Sequence, residues 1–242
     1  MKLIILAAGQ GTRLRPLTED RPKPVVRLKN GKTILETSIE NLQSEFDFDE
    51  VVIISGYKEE KLTEVVKNIN VRCSIDVVHN SFYDSAGPII SLSTVSHKIW
   101  TDNCIIINGD IIYFEDFVNH FISLGQGINI GYSPVENPSE DEMKVVCDSS
   151  QPKLMNVGKD ISVGYDGVSS GLVHVEGERC REKLVKNINQ AVEKDVWMPW
   201  HNLMKLVHFE KDNQYVELIE VPYESWHEID TVEDLEEAED LL

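Results

Sequence analysis

Continuous apolar runs alternate with amphipathic stretches along the first half of this chain. Residues 3–8, 51–55, 73–79 and 103–108 are apolar at their centres, as strands buried on both faces of a parallel sheet should be. Helix signals lie between them. Thr33, followed three positions on by Glu36, makes a capping box for a helix predicted over 34–44. Leu62, Val65, Val66 and Ile69 share one face of a helix predicted over 58–68. After a loop over 80–87, Pro88 sits at the first turn of a helix reaching about residue 97. A helix over 114–124 and a strand over 128–133 follow. This alternation predicts an α/β fold with a doubly wound, mostly parallel central sheet.

Beyond residue 133 the pattern changes. Residues 142–148, 153–157 and 168–175 alternate or run apolar between short polar turns, and read as antiparallel strands laid against the core as a small lobe. A helix over 179–193, a short one from 197 to about 208, a strand over 215–221 and a closing helix from Thr231 to 242 complete the chain. No repeat or linker interrupts it, so one domain over 1–242 is the economical reading.

Charge alters this picture in one place. The net charge is −19, yet residues 1–32 carry eight Lys/Arg against two Asp/Glu, while the rest carry 15 against 40. An acidic surface of this kind repels nucleic acid and anionic membrane, and no stretch approaches the ~18 apolar residues of a membrane span. The apolar run 3–8 is shorter than a signal-peptide core, and Arg13 and Arg15 follow too soon. Cys73, Cys104, Cys147 and Cys180 lack metal or redox spacing and read as reduced thiols of a cytoplasmic protein.

The basic cluster coincides with a glycine loop. The strand over 3–8 breaks into Gly9-Gln10-Gly11-Thr12-Arg13, with Arg15, Arg21 and Lys23 close behind. Glycines let backbone N–H groups approach oxyanions, and the cations neutralise them, so this is a phosphate site. It is not a dinucleotide fingerprint, because position 14 is Leu14 and helix does not follow. Gly31-Lys32-Thr33 is not a P-loop either, because Val26 stands where its first glycine belongs. Asp110, at the end of an apolar strand, and Asp230 are separated carboxylates. Together with phosphates they suggest Mg²⁺, which takes one or two protein carboxylates plus phosphate oxygens. Trp197 and Trp200 flank Pro199. Such a pair either packs in the core or cages a quaternary ammonium group.

The run from Leu6 through Thr18, with Arg21-Pro22-Lys23-Pro24, resembles the signature of the nucleotidyltransferases that activate sugar phosphates and phosphorylated alcohols. Asn108-Gly109-Asp110 resembles that family's first metal position, and the segment 226–235, with Glu228 and Asp230, its second. The resemblance implies a Rossmann-like, GT-A-type sheet, with 1–133 as nucleotide-binding core and 134–242 as acceptor part. It implies nucleotide contacts from Leu6, Ala7, Ala8, Gly9, Gly11, Thr12 and Arg13, and from the loop Ser85-Ala86-Gly87. Arg13 and Lys23 would be catalytic, Asp110, Asp230 and Glu228 would hold Mg²⁺, and Lys144, Trp197 and Trp200 would meet the acceptor. The ending Glu228-Ile229-Asp230-Thr231 is similar to that of the cytidylyltransferases for phosphocholine, aminoethylphosphonate and inositol phosphate, as is Asp141 to Val145. Ser85-Ala86-Gly87-Pro88 looks more like sugar-phosphate enzymes.

The expected activity is transfer of CMP from CTP to a small phosphorylated or phosphonate acceptor, with release of pyrophosphate. The alternative is a sugar-1-phosphate enzyme using UTP, GTP or dTTP. A silent nucleotide-binding regulatory domain is a third reading, against which the intact Arg13, Lys23, Asp110 and Asp230 argue. The expected partners are a nucleoside triphosphate and a small phosphorylated acceptor, with homodimerisation left open.

Overall fold

The computed structural model describes residues 1–114, 117, 119, 120, 126–207 and 216–242. Four parallel strands form its first half: β1 (Lys2–Leu6), β2 (Glu50–Ser55), β3 (Ser74–His79) and β4 (Cys104–Asn108). Helices α1 (Ile34–Glu45), α2 (Glu59–Val66), α3 (Pro88–Thr94) and α4 (Ser96–Thr101) connect them. The capping box at Thr33 is present: Thr33 Oγ1 accepts from the Glu36 N–H and the Glu36 carboxylate accepts from the Thr33 N–H. The helix expected over 88–97 is instead two, because Val95 leaves helical geometry (φ −113°, ψ 13°). The β-branched pair Thr94-Val95 weakens the turn at that point.

The second half comprises β5 (Ile111–Tyr113), β6 (Gly127–Ser133), β7 (Lys144–Cys147), β8 (Leu154–Gly158) and β9 (Gly167–Glu176), then α5 (Glu178–Lys194), β10 (Val216–Glu220), β11 (Trp226–Glu228) and α6 (Val232–Asp240). The main sheet runs β10-β6-β9-β4-β1-β2-β3, with β7 paired to β9 and β8 to β7. The antiparallel strands are therefore not simply laid on the core. β9 lies within the sheet, antiparallel to both β4 and β6, and is buried along nine of its ten residues. The short helix expected from 197 is a 3₁₀ segment, Trp200–Leu206. Most of the helix expected over 114–124, residue 208 and Tyr215 lie outside the described residues.

Alternation along β1 sends its side chains to two cores. Ile4 packs with Leu92, Ile99, Leu184 and Ile188 from α3, α4 and α5, and Ile5 packs with Leu35, Ile39 and Leu62 from α1 and α2. A third cluster fixes the loops at the carboxyl end of the sheet. Leu14 from the glycine loop meets Val26, Ile34, Ile112, Ile229 and Leu235. The short antiparallel ladder between β5 and β11 pairs Ile111 with Glu228, and the Ile229 N–H donates to the Asp110 carbonyl at 2.9 Å. These contacts bring the glycine loop, the end of β4 and the start of α6 to one edge.

Candidate active site

The parallel register of β1 and β4 pairs Leu6 with Asn108, so the glycine loop leaves the sheet beside Asp110. The Gly109 N–H closes on the Leu6 carbonyl at 2.9 Å. Gly11 adopts a left-handed φ of 59°, and a Cβ there would stand 3.0 Å from Lys23 Cβ. Glycine is thus required both by conformation and by the close approach of Lys23.

Five predicted residues converge at this edge. Lys23, 8% exposed, donates from Nζ to Asp110 Oδ2 at 2.9 Å and to Asp230 Oδ1 at 2.5 Å. Arg13 donates from Nη2 to Asp230 Oδ2 and from Nη1 to Asp141 Oδ2, both at 2.7 Å. Carboxylate oxygens of Asp110, Glu228 and Asp230 all lie within 4.8 Å of one another. Asp110 Oδ1 is buried and has no hydrogen-bond partner among the described residues.

The electrostatics follow from that crowding. Burial, then the Asp110 and Asp230 carboxylates, push the Glu228 carboxyl up to about 8. Burial works against the charged form of Lys23, but the attraction of Asp110 and Asp230 outweighs it and holds the ammonium above its ordinary range. A single buried ammonium therefore stands among three carboxyl groups, in a site suited to a further cation.

Two clefts meet at the triad. The smaller, about 270 Å³, is lined by Leu6, Ala7, Gly9, Gly11, Thr12, Arg13 and Lys23 together with the three acidic residues. The larger, about 330 Å³, shares Leu6, Gly9, Asp110 and Glu228 and extends past Ala8, Ala86, Gly87 and Trp200. Gly87 permits a tight seam: its N–H donates to the Val196 carbonyl at 2.8 Å, and a Cβ would lie 2.7 Å from the Trp197 backbone. Ser85 is exposed and belongs to neither cleft wall.

Three expected acceptor residues fare differently. Trp200 is buried in the larger cleft wall, where its indole N–H donates to Asn108 Oδ1 at 2.9 Å and its ring lies on His201, centroids 4.0 Å apart. Trp197 is 61% exposed, so the two tryptophans are split between surface and interior and do not build a cage. Lys144 is held by the backbone of a turn. Its ammonium donates to the carbonyls of Ser139, Glu140 and Glu142 at 2.7, 3.1 and 3.3 Å. Those three bonds match the three donors of the ammonium.

The residues that sequence reasoning missed come from distant segments. Lys159 lines the larger cleft, as does Asn80, whose side-chain amide donates to Ser91 Oγ at 3.0 Å. His201 lines it too, and burial, then the Lys159 charge, push its imidazole down to about 3, so it is neutral. Asp141 sits on the rim and pairs with Arg13. No motif marks Lys159, Asn80 or His201, whereas Asp141 opens the segment 141–145 that resembles the cytidylyltransferases.

A glycine loop and a carboxylate cluster at the carboxyl edge of a doubly wound sheet suit a nucleotide-handling α/β enzyme. Residues 2–140 match the nucleotidyl transferase family model, and the chain belongs to that family. Across 244 residues it is 29% identical to the choline-phosphate cytidylyltransferase of Streptococcus pneumoniae, covering 100% of this chain and 98% of that one. The solved structure of the CTP:phosphocholine cytidylyltransferase LicC from that organism superimposes with a TM-score of 0.77 at 28% identity, covering 99% of this chain and 98% of that one. The bifunctional protein GlmU of Methanocaldococcus jannaschii is 30% identical over 224 residues, covering 83% of this chain. The chain spans only 52% of that protein. No described helix is long and apolar enough to cross a membrane.

Proposed function

We propose that this enzyme transfers CMP from CTP to a small acceptor bearing a phosphate or phosphonate group, releasing pyrophosphate. The observation that carries the reading is the meeting of Lys23 and Arg13 with the Asp110, Glu228 and Asp230 carboxylates at the mouth of the glycine loop. CTP is favoured because the similarity to the phosphocholine enzyme runs the whole length of both chains. The GlmU likeness favours a sugar-1-phosphate acceptor as the second reading.

The residues fit Mg²⁺. The donors are hard oxygens, and the buried Asp110 Oδ1 is an acceptor without a partner. Asp110, Asp230 and Glu228 would hold the ion, which when bound would offset negative charge on the α-phosphate. Backbone N–H groups of residues 8–12 and the Arg13 guanidinium grip the β- and γ-phosphates. Lys23 exchanges its carboxylate partners for the α-phosphate. Lys159, whose charge reaches both Glu228 and His201, steadies the acceptor phosphate. An acceptor oxygen then attacks the α-phosphorus in line, and the bond to the pyrophosphate oxygen breaks. Two anions must meet, so neutralisation and positioning supply most of the catalysis. With its four thiols free, the enzyme suits a reducing, cytoplasmic setting.

Pyrophosphate release, measured for CTP, UTP, GTP, dTTP and ATP against choline phosphate, aminoethylphosphonate, inositol phosphate and hexose-1-phosphates, tests the reading. Turnover confined to CTP and a non-sugar acceptor is expected. Turnover confined to hexose-1-phosphates favours the second reading, and silence across the grid with retained nucleotide binding would refute both.

A further inference from the structure

The geometry points to Asp141 as a positioning residue that holds Arg13 across the mouth of the site and surrenders it to the incoming triphosphate. This rests on the nucleotide-binding reading above. Arg13 comes from the glycine loop and Asp141 from the turn before β7, and their 2.7 Å ion pair straps the two together. The other end of the guanidinium is tied to Asp230 at 2.7 Å. Both terminal nitrogens of the phosphate-gripping arginine are therefore already engaged by carboxylates. A triphosphate seated on the glycine loop reaches the guanidinium through its remaining N–H groups, and its charge repels the carboxylates already bound there, so the more weakly held of them gives way.

Exposure decides which carboxylate yields. The Asp141 side chain is 69% exposed and the Asp230 side chain 18%. An exposed ion pair is weak, because water replaces the lost partner, whereas the pair with the largely buried Asp230 is screened less. Asp141 is therefore the partner that lets go.

The strap has a built support. Lys144 is 5% exposed and spends its ammonium on three carbonyls of the turn over 139–142, and the Glu142 carboxylate accepts the Ser139 N–H. A buried lysine holding a turn by its carbonyls fixes where Asp141 stands. This gives Lys144 its part: it sets the strap and does not touch the substrate.

Removing Asp141 has two opposed effects on nucleotide affinity. It frees Arg13 from a competitor, which tightens binding, and it loosens the side chain, which weakens binding. The tether to Asp230 survives, so orientation is largely kept and the first effect wins. Asp141→Asn should bind CTP, titrated calorimetrically with excess Mg²⁺ and no acceptor, about two- to fivefold more tightly than wild type. Glu140→Gln removes the same charge one residue away and should change the affinity by less than about 1.5-fold. If Asp141→Asn binds no better than wild type, or no better than Glu140→Gln, the strap is refuted while the proposed function stands. If wild type binds another triphosphate and not CTP, the choice of base fails, and the same comparison made with that nucleotide decides the strap. If wild type binds none, both fall.

Discussion

Replacing Lys23 by Met removes the one ammonium among three carboxyl groups while keeping a buried stem of similar length. Carboxylate oxygens no more than 4.8 Å apart repel one another by at least about 3.5 kcal/mol per pair at an effective dielectric of about 20. Three ionised groups cannot stand that together, so protons are taken up instead, at about 1.4 kcal/mol per pH unit. This limits the loss to the range seen when one partner of a buried ion pair is deleted, about 3–5 kcal/mol. For a chain of 242 residues that corresponds to a fall in melting temperature of roughly 6–20 °C.

The loss should depend on pH in a defined direction. Burial and the neighbouring Asp110 and Asp230 push the Glu228 carboxyl from 4.5 to about 8. Between those values the folded protein holds a proton that the unfolded chain has released, so stability falls as the pH rises through the window. Without Lys23 the group moves further up, so the fall continues above pH 8. Calorimetric melts of Lys23→Met in EDTA should therefore lie closest to wild type near pH 5 and furthest below it near pH 9. Millimolar Mg²⁺ at pH 8 should recover much of the difference, because a cation bound only by the folded state stabilises it. A variant that melts within about 2 °C of wild type at pH 8 without metal would refute the electrostatic reasoning. A variant that Mg²⁺ fails to rescue would refute the metal assignment.

Asp110→Asn, which removes the carboxylate at the end of β4, should lower kcat by roughly 10²–10³ in a pyrophosphate-release assay, with the melting temperature kept or raised. Gly11→Ala places a side chain at φ 59° against Lys23, so a loss of about 1–3 kcal/mol in denaturant melts and a raised KM for nucleotide are expected. Thr231→Ala deletes the hydroxyl that accepts the Asp234 N–H at 3.2 Å, a capping loss of about 1 kcal/mol by urea titration, with KM for nucleotide rising because Asp230 lies next to the cap.

The parts of the site that could be read from the chain are those whose neighbours are also neighbours in sequence. A strand breaking into Gly9-Gln10-Gly11 with Arg13 close behind has one local physical meaning, and an aspartate closing an apolar strand has a place in any doubly wound sheet. The strands and helices of the first half were legible for the same reason, since period and caps are local. Legibility failed where geometry depended on packing. The helix after Pro88 broke at Val95, and β5 and β11, three residues each, were too short to show a period. The three carbonyls around the Lys144 ammonium come from a turn whose shape no local pattern shows.

The amino-acid sequence by itself determined that this protein has a parallel core, a basic glycine loop at the end of its first strand and aspartates placed to lie beside it. Burial periodicity and glycine chemistry act over a few residues and need no fold to be read. Only the tertiary structure decided that β9 runs antiparallel inside the sheet, that Trp197 and Trp200 part company, and that Asp141 reaches across 128 positions to Arg13. Those outcomes rest on ion pairing, exclusion of water and strand pairing between segments remote in the chain, and such forces leave no local pattern.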